Sequence, residues 1–433
     1  MDTRVAQLMT AMTERVVIAD GAMGTMLQQA GVTLADTEGH DGCNEVLNVT
    51  RPDIVRAVHE EFLAVGCDAV ETNTFGANLP NLSEYGIAER IREFSHAGAV
   101  IAREAADAWS TADRPRWVIG SIGPGTRLPT LGQARFADLR DSYTEQVSGL
   151  ITGGADLLLV ETAQDPLQAR AAVVGARRAM AALDQELPIM VQITVETTGT
   201  MLLGTETPAA VAMLRGLRVQ GMGMNCATGP AEMGEHLRYM SRHAPGVLTC
   251  MPNAGLPELT SAGAHYPLTP DELAEAHHRF VTELGATLVG GCCGTTPDHL
   301  AAVVDRVGMP GRRTVPRART PHPEPGAASL YSLAAFKQDV SYLAIGERAN
   351  ANGSKAFRDA MVAGDWQQCI DIARGQTRDG AHLLDVCVDH VGRDGVADVR
   401  DVVSRLATSS TLPLVIDSTE PAVIAAALEL VPG

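Results

Sequence analysis

Long apolar runs are missing from this 433-residue chain. None approaches the roughly 20 residues that a helix needs to cross a bilayer, so no membrane helix is expected. Positive charge is also short. Lys and Arg number 34 against 52 Asp and Glu, a net charge of −18, which argues against non-specific nucleic-acid binding. The opening residues, Met1-Asp2-Thr3-Arg4-Val5, lack the pattern of a secretory signal. Eight cysteines are scattered through the chain without a disulfide framework. These absences lead to an expectation of a reducing, cytoplasmic setting with no nucleic-acid and no membrane partner. Core material is plentiful: 45% of residues are hydrophobic, and the length suits two domains, or one large barrel with an addition.

A strand–helix rhythm fills the first 307 residues. Short apolar runs that read as strands lie at 16–19, 69–75, 117–121, 157–161, 189–195, 222–226, 247–250 and 288–290. Helical patterns follow them at 53–65, 82–109, 136–151, 166–183, 208–217, 231–243, 270–284 and 297–307. Apolar runs without alternation suit parallel strands covered on both faces. Eight such units predict an α/β fold, a (β/α)8 TIM barrel over residues 1–307. Thr269-Pro270-Asp271-Glu272 reads as a capping box that starts one of the helices. His277 and His278, on that helix, are expected at the surface.

The polar residues gather at one end of this plan. Asp20, Thr74, Ser121, Glu161, Cys226, Asn253 and the Cys292–Cys293 pair all fall at or just after strand C-termini, the face where such barrels carry their sites. Neighbouring side chains on an extended strand point to opposite faces. Both sulfurs of the pair reach one point only if the backbone turns, which Gly290, Gly291 and Gly294 permit. Thr296, Pro297 and Asp298 then read as N-cap, first helical position and first-turn acid. Cys226 has a similar glycine-rich setting, Gly221 to Pro230. Three thiolates at strand exits suit zinc, with a fourth position open. Buried free cysteines and a strained vicinal disulfide are the alternatives that the spacing leaves. Taken alone, Asp20 reads as a loop acid capping the next turn, and Glu71 as a member of an ion pair in the barrel mouth or a site acid.

Residues 308–335 are rich in proline, glycine and arginine and show no period, so they read as an interdomain linker whose basic cluster is solvated. The βα rhythm resumes at 336–433, with strands at 342–347, 383–389 and 412–416. Three units are fewer than the eight a barrel requires, so an incomplete second (β/α) barrel is expected. Cys369 and Cys387 read as buried cysteines.

Four segments carry a resemblance. Asp20-Gly21-Ala22-Met23-Gly24-Thr25-Met26-Leu27, Glu71 to Asn78, Met224-Asn225-Cys226 and Gly290 to Pro297 together resemble the homocysteine S-methyltransferase family. Ile345 to Asn350, Leu384-Asp385-Val386 and Ile416-Asp417-Ser418-Thr419 resemble the start of a pterin-binding methyltransferase barrel. That order is the one found in the cobalamin-dependent methionine synthase family, and the chain reads as the N-terminal portion of such an enzyme.

The resemblance implies the roles. Cys226, Cys292 and Cys293 would hold zinc and carry catalysis, with Asn253 as a fourth ligand when substrate is absent. Homocysteine would be bound by Asp20 and Glu161 at its ammonium, by backbone N–H groups around Gly24 and Thr25 at its carboxylate, and in contact with Ser121. Asn350, Asp385 and Asp417 would contact the pterin of 5-methyltetrahydrofolate. Ala349 and Cys387 stand where that family usually has threonine and asparagine. No Asp-x-His-x-x-Gly cobalamin motif occurs. The methyl carrier, methylcobalamin, and its reactivation would therefore belong to further modules of a longer chain. Two other readings are a cobalamin-independent homocysteine methyltransferase using a sulfonium or betaine donor, and a noncatalytic module braced by zinc.

Overall fold

The computed structural model describes residues 3–260, 263–309 and 313–433; linker residues 310–312 and the first two residues of the chain lie outside the described residues. Eight parallel strands form the first unit: β1 (Val17–Ile18), β2 (Ala69–Glu71), β3 (Trp117–Ile122), β4 (Leu157–Ala163), β5 (Ile189–Ile193), β6 (Gly221–Asn225), β7 (Val247–Met251) and β8 (Leu288–Val289). They pair in the order β1-β8-β7-β6-β5-β4-β3-β2, which nearly closes a barrel. At the β1–β2 seam, Asp68 N donates to Ile18 O at 2.6 Å, and Glu71 N donates to both carboxylate oxygens of Asp20 at 3.0 and 3.1 Å.

The alternation of a strand decides what fills the barrel. Val17, Ala19, Ala69, Trp117, Ile119, Leu157, Leu159, Met190, Met251 and Leu288 form an interior cluster. Helix Thr3–Glu14, which has no counterpart in the sequence reading, closes the bottom with Leu8 and Met12. The outward strand residues, such as Val118, Leu158, Val160 and Val191, join the larger cluster under the helices. Helices Ile91–Trp109, Phe136–Gly153 and Pro166–Leu183 pack closely through glycine. A Cβ on Gly153 would lie 2.5 Å from Ala99 Cβ, and one on Gly175 2.6 Å from Arg140 O.

Most sequence expectations hold, with differences. The helix read over 82–109 is broken into Leu79–Glu84, a 3-10 turn at Ala88–Arg90 and Ile91–Trp109, because Gly86 takes a φ of 74° between them. The capping box at Thr269 is present, its hydroxyl accepting from Glu272 N. His277 is not at the surface but fully buried. The described part of the linker stays largely exposed, as at Val315 and Arg317, but it is pinned at Arg319. Arg319 donates to the carbonyls of Met240, Ser241, Ala244 and Gly246 at the end of helix Pro230–His243. Burial of its guanidinium lowers its pKa to about 10. Segments Gly326–Ala328 and Leu333–Ala335 then pair as a short antiparallel ribbon.

The second unit has three parallel strands, β9 (Ile345–Asn350), β10 (Leu383–Cys387) and β11 (Leu414–Ile416), in chain order. Its core lies between these strands and helices Lys355–Ala363, Trp366–Arg378, Gly395–Ser409 and Pro421–Leu428. The opposite sheet face stays open: Ile345 is 50% and Val415 36% exposed. This is an incomplete barrel, as expected. Cys369 and Cys387 are buried.

Candidate active site

The same alternation that fills the barrel builds its mouth. Following Ala69 comes Glu71; following Ile119, Ser121; following Leu159, Glu161; following Gly223, Asn225; following Gly290, Cys292. Each is the last residue of its inward-facing row. All of them except Asn225 line a cavity of about 390 Å³, together with Gly21 to Thr25, Asn44, Glu45, Phe75, Cys226 and Cys293.

One end of the cavity is sulfur. The Cys226 and Cys293 Sγ atoms are 3.7 Å apart, those of Cys292 and Cys293 3.9 Å, and all three lie within 4.8 Å of one another. A tetrahedral zinc with Zn–S of about 2.3 Å requires sulfur separations of about 3.8 Å. The donor set and spacing therefore fit that ion. The backbone is held for this purpose. Cys226 and Ala227 both adopt left-handed conformations, φ 59° and 55°, which cost about 1–2 kcal/mol per non-glycine residue. Cys292 N donates to Pro252 O at 2.9 Å, Ala254 N to Cys293 O at 3.0 Å, and Thr295 hydroxyl to Cys292 O at 2.6 Å. Without a cation three such thiols do not all ionise. Contacts from Cys226 and Cys292 lower the Cys293 pKa to about 3, and contact with Cys226 raises that of Cys292.

The other end is acidic. Glu161 is buried, and burial raises its pKa to about 7 against the lowering effect of the Ser121 hydroxyl, which donates to it at 2.5 Å. Burial also raises Asp20 and Glu71, and the charge of Glu161 adds to both shifts. Glu71 Oε1 has no hydrogen-bond partner among the described residues. Buried acids so arranged favour a cationic guest.

Asn225 joins the two ends, and the sequence reading did not single it out. Its Nδ2 donates to Thr162 Oγ1 at 2.8 Å and Glu161 Oε2 at 3.3 Å and lies 3.7 Å from Cys292 Sγ, while its Oδ1 accepts from Thr162 N at 2.7 Å. Its position at the top of an inward-facing row was the available signal. Thr162 itself has a φ of 54° at a register shift in β4.

The remaining candidates are distributed as follows. Gly24 and Thr25 lie in the first turn of helix Met23–Gln29, whose N–H groups the helix itself cannot use, and Thr25 Oγ1 accepts from Gly294 N at 3.4 Å. Asn253 is buried, with Oδ1 accepting from Cys293 N at 3.1 Å, and it does not line the cavity. Thr74 is turned away as well, donating to Ser121 O at 2.8 Å. In the second unit Asn350 Nδ2 donates to Asp385 at 2.9 Å and Asp417 at 3.2 Å, so these three converge at the strand ends.

Two family models match the chain: homocysteine S-methyltransferase over residues 17–307 and pterin binding enzyme over residues 346–433. Among curated relatives, the methionine synthase of Mycobacterium tuberculosis is 56% identical over 429 residues, and that of Mycobacterium leprae 56% over 427 residues. Each alignment covers 98% of this chain but 35% of the relative, so the chain spans about a third of their length. Among solved structures, the metallated form of the homocysteine methyltransferase MmuM from Escherichia coli aligns with a TM-score of 0.54 at 24% identity, over 67% of this chain and 96% of that one. Its oxidized form aligns with a TM-score of 0.53. These two likenesses concern the fold.

Proposed function

Because this chain belongs to the homocysteine S-methyltransferase family and carries a pterin-binding segment behind that barrel, we propose that it is the homocysteine-methylating portion of a cobalamin-dependent methionine synthase. The observation that carries the reading is the make-up of a single cavity: three cysteine sulfurs and the carboxyl groups of Glu71 and Glu161 line it, and the buried Asp20 carboxylate accepts from Glu71 N beside them. Homocysteine has the matching ends, a thiol and an ammonium group.

Cys226, Cys292 and Cys293 would hold the metal. Zinc, when bound there, supplies the Lewis acidity that keeps a fourth, substrate sulfur deprotonated at neutral pH. Three thiolates on a divalent ion leave a net charge of about −1, so the set is electron-rich and favours a nucleophilic sulfur. Asn253 would serve as fourth ligand without substrate, through the lone pair of Oδ1 that Cys293 N leaves free.

The chain's own groups orient the amino acid. Glu161 and Asp20 take the ammonium, Ser121 fixes the Glu161 carboxylate, and the N–H groups of Gly24 and Thr25 take the substrate carboxylate. In the transfer, the homocysteine thiol loses its proton to solvent and a new S–C bond forms. The bond between methyl and its carrier breaks, and its electron pair stays with the carrier. Methylcobalamin, held by a further module of a longer protein and recharged from 5-methyltetrahydrofolate, would supply that methyl. Asn350, Asp385 and Asp417 would contact the pterin, in a barrel that the present strands begin.

The test is metal content and homocysteine titration of the chain and of Cys292→Ala. One zinc per chain, lost in the variant, with proton release as homocysteine binds, is expected. The chain should also methylate homocysteine slowly from added methylcobalamin without turning over methyltetrahydrofolate. Absence of zinc under reducing, metal-replete conditions removes the reading.

A further inference from the structure

The buried carbonyl of Gly290 lies two residues before the cysteine pair. Around it the β7–β8 ladder continues past the strand ends: Gly290 N donates to Cys250 O at 3.2 Å and Cys292 N to Pro252 O at 2.9 Å. In a parallel ladder the residue that accepts from position 292 also donates to the carbonyl of position 290. That residue is Pro252, which has no N–H. The ladder thus leaves a buried acceptor at the point where the chain turns out to present Cys292 and Cys293.

A side chain fills the gap. His277 Nε2 lies 2.9 Å from Gly290 O. A carbonyl only accepts, so the imidazole donates, and the proton resides on Nε2. His277 is fully buried on helix Pro270–Arg279, whose start is fixed by the Thr269 capping box. The edge-on Phe280 ring, 6.1 Å away between centroids, packs beside it. Its Nδ1 has no partner among the described residues, and burial lowers the pKa of the ring to about 4, so it is neutral at physiological pH.

We propose that His277 is a positioning residue that supplies the ladder donor Pro252 lacks, and so fixes the Gly290 peptide from which the cysteine pair reaches the metal. The inference rests on the reading of Cys226, Cys292 and Cys293 as metal ligands. Groups that orient ligands in this way typically change metal affinity by about 10–100-fold.

The experiment compares the full chain with His277→Leu, Pro252→Ala and the double variant. Zinc affinity is measured by competition with a chelator, and the thiolate-to-metal charge-transfer band by loading with cobalt(II). His277→Leu should bind zinc about 10–100-fold more weakly and shift the band. Pro252→Ala should stay near wild type. In the double variant the Pro252→Ala change restores a backbone N–H that can donate to Gly290 O, so affinity and band should return most of the way. Rescue by a backbone N–H on another strand is not expected of a residue that merely fills space. Wild-type affinity in His277→Leu, or a double variant no better than it, overturns the proposal. A wild-type chain that takes no zinc overturns the ligand reading instead. His277 is then judged in the metal-free chain by hydrogen exchange at Cys292 N–H, faster in His277→Leu and restored in the double variant; equal rates overturn its role. If His277→Leu does not fold, the ring ¹⁵N shifts of the wild type decide: a proton on Nδ1 refutes the donor assignment.

Discussion

Ser121→Ala offers a test of the acidic end that has its own signature. The Ser121 hydroxyl donates to Glu161 at 2.5 Å, and it lowers a carboxyl pKa that burial has raised to about 7. A hydrogen bond to a charged group contributes about 1.5–3 kcal/mol. At about 1.36 kcal/mol per pKa unit, its loss raises Glu161 by about 1–2 units, to about 8–9. The sign follows from the charge. Only ionised Glu161 holds an ammonium group, so affinity for homocysteine is lost as pH falls through the Glu161 pKa, and the variant loses it at higher pH. The ratio of variant to wild-type dissociation constants, read by calorimetry at matched pH, cancels the titration of homocysteine itself. It should be about 10–100 below about pH 6 and fall toward one above about pH 10, by the same conversion. A ratio that does not change with pH refutes the assignment of Glu161 to the ammonium, whatever the absolute loss.

Two further outcomes are expected. Asn225→Ala leaves Thr162 N–H, Thr162 Oγ1 and Glu161 Oε2 without their partner, and at about 1–3 kcal/mol per orphaned buried group it should cost at least about 3 kcal/mol of stability. A urea midpoint within error of wild type would sink the bridging role given to Asn225. Arg319→Ala removes hydrogen bonds to four carbonyls at the end of helix Pro230–His243; at about 0.5–1.5 kcal/mol per bond it should cost about 2–6 kcal/mol and speed trypsin cleavage at Arg317, whose N–H donates to Val281 O at 3.0 Å. Equal cleavage rates in the two proteins would mean that the linker is not held by this contact.

Local patterns carried much of this protein. Eight apolar runs separated by helical periods specify parallel strands, because only strands covered on both faces tolerate such runs. A two-residue period then puts Ser121, Glu161 and Cys292 on the inner face at strand ends, where the sequence marked candidate site residues, while it left Glu71 open between an ion pair and a site acid. Short-range rules do not reach the rest. That the three sulfurs meet within 4.8 Å depends on closing the sheet and on the left-handed turn at Cys226-Ala227, which have no sequence signature of their own, whereas the turn after β8 was announced by its glycines. Asn225 gains its role only when β4 and β6 both reach the mouth. Arg319 looked like linker charge because its four acceptors lie more than 70 residues earlier in the chain. His277 looked like a surface residue because its partner is a carbonyl made vacant by a proline on another strand. Helix and strand periods record which face of an element is buried; they do not record which buried polar group lacks a donor, since that is decided by the elements packed around it.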